Sequence, residues 1–152
     1  KNFMAITQAI ANSFKKELLD GAMSFKQTGG DTFKIALYIS TATLNSTTSN
    51  YITGGEVGAT GQYAAGGGAL VNGGTSMTAG VARCDFADRS FTGVSLTARG
   101  ALIYNTTAGS GSSTTDAVCI LNFGADKTAT SGTFTIQFPA PTSTAAILRI
   151  SG

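Results

Sequence analysis

Histidine runs much of the acid, base and metal chemistry that proteins do near neutral pH, and this 152-residue sequence contains none. Its absence removes the usual general base, the Ser-His and Cys-His nucleophile pairs and the commonest metal ligand together. Eight carboxylates, the lysines, four tyrosines and two cysteines remain as reactive side chains. The densest acidic spacing is Asp85-Phe86-Ala87-Asp88, and Asp126 follows Phe123-Gly124-Ala125 in a similar setting. A hard cation such as calcium needs six or more oxygen ligands, and neither segment offers a series of them. Aspartates that flank apolar runs ordinarily close turns, and Asp20, Asp31, Asp85, Asp88, Asp116 and Asp126 are read that way. The expectation is therefore a protein that is not an enzyme, with no catalytic residue, no metal and no cofactor.

The other reactive groups lead to the same place. Gly54-Gly55 and Gly66-Gly67-Gly68 open no helix and lack the Lys-Ser or Lys-Thr pair of a phosphate loop. Cys84 and Cys119 each sit in an apolar, strand-like run and not in a close-spaced ligand motif, so both are expected to be buried free thiols. Arg99 and Arg149 are cations in apolar context. Each is read either as an outward-facing strand residue or as an arginine at a subunit boundary, where its planar fork can meet a carboxylate. Exposed Tyr38, Tyr51, Tyr63 and Tyr104 supply possible stacking platforms for a carbohydrate, although there is no Trp to join them.

The elements that must carry these residues are legible from periodicity. Phe3, Ile6, Ile10, Phe14 and Leu18 recur at three- and four-residue spacing, which predicts an amphipathic helix over residues 1–21, closed by Gly21 in the left-handed conformation. An isolated helix of that length is marginal in water, so its apolar stripe needs a surface to cover. From residue 31 the period becomes 2. Phe33, Ile35, Leu37 and Ile39 alternate with Lys34, Ala36 and Tyr38, which predicts a strand with the second set facing outward.

Residues 41–68 are rich in Thr, Ser, Asn and Gly and predict a long loop, with a short edge strand near residues 56–60. Further strands are expected at residues 69–71, 81–86, 91–98, 101–105, 117–123, 133–138 and 145–150, separated by turn residues. The result is one domain over 1–152, all-β, with a β-sandwich or jelly-roll of seven to nine antiparallel strands over 31–150 and one N-terminal helix. The loop is too long for a simple connection, which marks it as a partner-contacting element anchored by Tyr51, Ile52 and Tyr63. Phe3, Ile6, Ile10 and Phe14 on the helix stripe, together with Arg99 and Arg149, complete the expected interface.

Composition narrows the class of partner. Charged residues make up only 12% and glycine accounts for 20 positions, so the surface is polar without being ionic. Few ions then need desolvating when another protein surface docks, and homo-oligomerisation is expected. Scattered Lys and Arg with a net charge of +2 make no row able to neutralise phosphates, which argues against nucleic acid. No apolar run reaches the length that spans a bilayer, and no export signal is seen, so neither a membrane nor an oxidising compartment is expected.

Several local signatures occur together: Phe14-Lys15-Lys16-Glu17-Leu18-Leu19-Asp20-Gly21, Asp31-Thr32-Phe33-Lys34-Ile35-Ala36-Leu37-Tyr38, Gly80-Val81-Ala82-Arg83-Cys84-Asp85-Phe86-Ala87-Asp88 and Thr97-Ala98-Arg99-Gly100-Ala101-Leu102-Ile103-Tyr104-Asn105. With Phe123-Gly124-Ala125-Asp126-Lys127, Gly132-Thr133-Phe134-Thr135-Ile136-Gln137-Phe138-Pro139 and Ile147-Leu148-Arg149-Ile150, they resemble a family of small structural proteins of tailed bacteriophages. The resemblance spans nearly the whole chain. It implies a virion protein, with a capsid decoration or cement protein as the leading role. Such proteins are often trimeric β-sandwiches or jelly rolls seated over joints between major capsid protein subunits. A tail or fibre component and a carbohydrate-binding module are the alternatives, and no catalytic residues come with the resemblance.

Overall fold

The computed structural model describes residues 5–107, 109 and 111–152. The fold is all-β, with two antiparallel sheets and one short helix. In chain order the elements are β1 (Ala9–Ile10), α1 (Asn12–Leu19), β2 (Phe33–Tyr38), β3 (Gly68–Ala69), β4 (Asn72–Thr78), β5 (Val81–Phe86), β6 (Arg89–Asn105), β7 (Ala117–Ile136) and β8 (Leu148–Ile150). A five-stranded sheet runs β1-β7-β6-β2-β3 and a three-stranded sheet runs β4-β5-β8. Among the described residues no helix is long and apolar enough to cross a membrane.

β2 lies where its apolar run predicts, but it is covered on both faces. Ile35, Ala36, Leu37 and Tyr38 are all buried, and only Lys34 keeps partial exposure, because β2 is flanked by β3 and β6 and overlaid by residues 41–68. The expected outward set of Ala36 and Tyr38 thus faces protein and not water. An aromatic cluster links the two sheets, with Phe25 of the α1–β2 connection packed into it. Phe25 stacks on Phe33 at 4.7 Å, and Phe33 meets the Phe86 ring of β5 edge-on at 5.4 Å. Such pairs add about 0.5–1.5 kcal/mol each beyond the area they bury.

Four separately expected strands are two long ones. The segments near 91–98 and 101–105 are continuous in β6, and those near 117–123 and 133–138 are continuous in β7, paired from Arg89↔Ile136 to Tyr104↔Ala117. The glycine and serine residues between them are not strand ends but bulges. The register slips at Gly93, Ser131 and Gly124, with φ of 65°, 45° and 77°, so each bulge carries a left-handed residue that bends the ribbon. The bend is large. Phe123 and Phe134 lie eleven positions apart in β7, a separation of about 36 Å in a straight strand, yet their ring centroids are 6.2 Å apart.

The N-terminal helix is shorter than its apolar period predicts. Ile6 bridges to Leu44, and Ala9 and Ile10 pair with Ile120 and Cys119 as an edge strand, so the helix begins only at Asn12. Backbone bonds from Thr7 N–H to the Leu44 carbonyl and from Ala11 N–H to the Val118 carbonyl explain the choice. An open edge of β7 offers long-range pairing that local spacing does not reveal, and β-branched Ile accepts an extended backbone readily. The helix end follows expectation. Gly21 has φ 71°, its N–H bonds to the Leu18 carbonyl, and Ala22 N–H bonds to the Glu17 carbonyl, the paired closure of a Schellman motif.

β4 has no apolar alternation and is invisible to a periodicity argument. It forms because Ala79 and Gly80, with φ of 51° and 75°, make the mirror-image turn that matches strand twist and pairs β4 with β5. The expected short strand near residues 56–60 is replaced by isolated bridges, Tyr38↔Glu56 and Thr60↔Tyr63.

One glycine in the long loop tests this packing. Gly67 has φ 76°, and a Cβ there would lie 1.9 Å from the Ile35 carbonyl oxygen in β2. Gly67→Ala must therefore push the loop off the sheet. We expect a loss of at least about 1–3 kcal/mol from backbone strain alone, read as a lowered melting temperature. An unchanged melt would show that the loop is not packed on β2.

Candidate interface

Residues 41–68 are not a free contact element. Leu44, Val57 and Tyr63 are buried in the chain's own core, and Tyr51 and Ile52 pack half-buried against it. All four tyrosines of the sequence are drawn to this side of the sheet, and Glu56 organises them. Its carboxylate accepts hydrogen bonds from the hydroxyls of Tyr51 and Tyr63 and from the Gly66 N–H. The Tyr63 hydroxyl also accepts the Leu37 N–H at 2.8 Å. Tyr104 donates to the Gly66 carbonyl and Tyr38 to the Ile52 carbonyl, both at 2.6 Å, while the Tyr51 and Tyr104 rings stack with centroids 5.0 Å apart.

This corrects two expectations. Tyr63 is 1% exposed and does not anchor a partner. Tyr38, Tyr63 and Tyr104 are buried, so the stacking platforms of a sugar-binding face are turned inward. Glu56 carried no periodic or motif signal in the sequence. Only the tertiary fold brings it to the tyrosines.

The remaining expected contacts divide. Ile6 and Phe14 are both 4% exposed and belong to the core, Ile6 beside Gly100 and Phe14 edge-on to Phe25 at 5.8 Å. Phe3 lies outside the described residues. Arg99 pairs within the chain, its Nε donating to Asp126 at 2.8 Å across the β7 bulge, so Asp126 is a strand partner and not a turn cap. Both side chains stay substantially exposed, and Arg99→Ala is expected to cost no more than about 1 kcal/mol, measured by thermal melting. Arg149 is exposed and donates to the Ser143 carbonyl at 3.0 Å. Ile10 is 37% exposed.

Glu17 of α1 lies near Asp116, the residue that precedes β7. Asp116 is fully buried, which works to raise its pKa, but bonds from Ser113 and Ser112 outweigh burial and hold the carboxyl below its ordinary value. Glu17 is pushed up, first by burial and then by the Asp116 charge. Among the described residues no three His, Cys, Asp and Glu side chains gather as metal ligands would.

Cys84 and Cys119 are both free and buried. Burial pushes each thiol up to about 12, helped by Asp85 beside Cys84 and by Cys84 beside Cys119. Because the thiolate is the reactive form, both are expected to resist a hydrophilic alkylating reagent at pH 8 and to react at once in denaturant. Rapid labelling of the native protein, counted by mass spectrometry, would contradict the burial.

What the fold does leave open is a groove of about 330 Å3 between α1 and the edge of the three-stranded sheet. Ile10, Phe14 and Leu18 form one wall and Cys84 and Leu148 the floor. Leu19 and Ile150 stand at its mouth, 89% and 60% exposed. Lys15, Arg83 and Arg149 line it as well, and no acidic residue does. Exposed Leu and Ile flanking an apolar cleft mark a surface suited to protein contact. Neither a protein-family model, nor a curated protein, nor a solved structure matches the chain.

Proposed function

We propose that this protein is a non-catalytic structural component of a bacteriophage virion, serving as a decoration or cement protein that clamps adjoining major capsid protein subunits. The observation that carries the reading is the apolar groove beside α1, with Leu19 and Ile150 exposed at its mouth on an otherwise weakly charged all-β scaffold. A surface of this kind stabilises by summed contacts over many copies and needs no reactive group. The sequence resemblance to small structural proteins of tailed phages supports the same reading. Two antiparallel sheets joined by an aromatic cluster are compatible with the sandwich or jelly-roll form of such proteins. A ring of three copies over a capsid joint is the assembly proposed.

Imaging of purified virions at subnanometre resolution tests this. A density matching the chain, repeated over the whole head, is the expected result. Density at one vertex or along the tail would favour the tail or fibre reading instead. Complete absence of the chain from particles would end the virion assignment.

A further inference from the structure

We propose that the groove beside α1 receives a second copy of this chain, in a two-fold dimer in which the Leu19 side chain of each copy enters the groove of the other. The inference goes beyond the virion reading and does not depend on it, and a ring of three copies would meet through other faces.

Strand register builds the surface. Met77, Ala82 and Ile150 stand in one row across β4, β5 and β8, beside a second row of Thr75, Cys84 and Leu148. Side-chain alternation puts both rows on the groove face of the sheet. Arg83 and Arg149 stand directly opposite each other on the far face, where Arg83 donates to Thr78 Oγ1 and Arg149 to the Ser143 carbonyl. Their guanidinium groups therefore bring no charge to the groove. Lys15 is the cation that remains there. Its ammonium donates to the Asn12 side chain along α1, and its long stem lets the charge stay in water.

Exposed apolar surface gathers on this one face. Ile10, Leu19, Met77 and Ile150 belong to it, and of the other large apolar side chains described only Ile39 and Val71 are comparably open. At roughly 100 Å2 of apolar surface for a side chain of this size, Leu19, Met77 and Ile150 with the groove walls offer roughly 300 Å2, the extent at which an apolar patch marks a contact site. A pairing of standard size buries about 800 Å2 on each copy, as an apolar core inside a polar rim. The patch supplies such a core, and exposed Thr75 and Lys15 begin the rim. An area of this order fits a reversible dimer and not an obligate one.

Shape selects the second copy as the occupant. Leu19 is a knob beside a hole: it projects, 89% exposed, from the C-terminal end of α1, and the groove of about 330 Å3 at its foot has room for a leucine side chain. A knob and a hole on one patch are self-complementary about a two-fold axis, so each copy fills the other and both knobs leave water together. Facing two such patches brings no fixed charges together beyond the mobile Lys15 side chains, which keeps the desolvation cost low.

Sedimentation velocity of the purified full chain, from about 1 to 200 μM, tests this over the range expected of a weak standard-size interface. A reversible monomer–dimer equilibrium is the expected result. Leu19→Ser and Ile150→Ser should each weaken the dimer about ten-fold or more, since each removes a core side chain from both halves of the interface. Val71→Ser is the control, because Val71 is 69% exposed but lies outside the groove, and it should leave the equilibrium within about two-fold of wild type. Leu19 and Ile150 stand largely in water on separate elements, so either variant carries the test if circular dichroism shows that the other has not folded.

A monomer at every concentration would overturn the proposal. Flotation of that monomer with phosphatidylcholine vesicles, lost in Leu19→Ser, would give the groove to a lipid surface instead. A dimer untouched by Leu19→Ser and Ile150→Ser, or weakened as much by Val71→Ser, would place the contact elsewhere and overturn it too. So would a ladder of trimers and larger species, which a closed two-fold pairing does not produce. Particle imaging separates the two readings. A chain absent from virions ends the virion assignment and leaves the dimer standing, while a monomeric chain found over the whole head does the reverse.

Discussion

Exchanging Tyr51 and Tyr63 together for Ser is expected to unfold this domain, not to release a partner from it. Tyr63 is fully enclosed, its ring edge-on to Phe91 at 5.1 Å and its hydroxyl shared between Leu37 and Glu56. Truncating a buried aromatic typically costs about 3–5 kcal/mol. Removing Tyr51 adds the loss of its stacking on Tyr104 and leaves Glu56 short of two hydroxyl donors. Against a total stability of about 5–15 kcal/mol, the double variant should melt at least 10 °C lower, at about 2–4 °C per kcal/mol, or fail to fold.

The conservative control separates packing from hydrogen bonding. Tyr63→Phe keeps the ring and deletes only the hydroxyl, so it should cost about 1–3 kcal/mol, the penalty for leaving a buried donor unsatisfied. Circular dichroism melts of the two variants measure both effects. A double variant that melts like wild type while losing incorporation into particles would restore the loop as the contact surface.

Alkali is expected to unfold the protein cooperatively, and the tyrosines will report it. Tyr38, Tyr51 and Tyr63 are all raised above the ordinary value of 10.0, in each case first by burial. Tyr51 is held up next by its hydrogen bond to Glu56, and Tyr38 by the charge of Glu56. A group whose folded pKa is raised contributes stability that is fully present below its unfolded value. That stability is lost as the pH climbs above 10.0 towards the folded value, because the unfolded chain releases its proton first.

Each tyrosine held neutral in this way removes up to about 1.4 kcal/mol per pH unit above that point. Tyr38 and Tyr63, the two most deeply enclosed, are enough to exhaust a marginal stability within about two to four pH units. Absorbance at 295 nm, followed with circular dichroism, should show tyrosinate appearing in one step with loss of β structure. The Y63F variant removes one of the two groups and should flatten the decline. Smooth tyrosine ionisation near pH 10 with the fold intact would show the cluster to be open to solvent. The buried thiols, pushed up to about 12, reinforce the same trend.

Taken alone, the sequence determined the class of fold and most strand positions, because a period-2 apolar pattern and β-branched content act locally. Val81–Phe86 is strand over the same residues that the alternation marks, and Gly21 closes the helix as its freedom at positive φ requires. It also determined that Cys84 and Cys119 are buried, since each alternates in phase with core neighbours. What only the tertiary structure decided are the facts that depend on distant partners. Ile6 and Ile10 fit a helical spacing, but a bridge to Leu44 holds Ile6 and the open edge of β7 holds Ile10 as extended chain. Gly124 and Ser131 read as strand ends, but the pairing continues through them as bulges, since a neighbouring strand can hold a ladder together across a left-handed residue. Tyr63 and Glu56 looked like loop residues because burial of residues 41–68 against β2 is a long-range event with no local period. The unpaired juxtaposition of Arg83 and Arg149 arises in the same way, from two strands sixty-odd positions apart brought into one register.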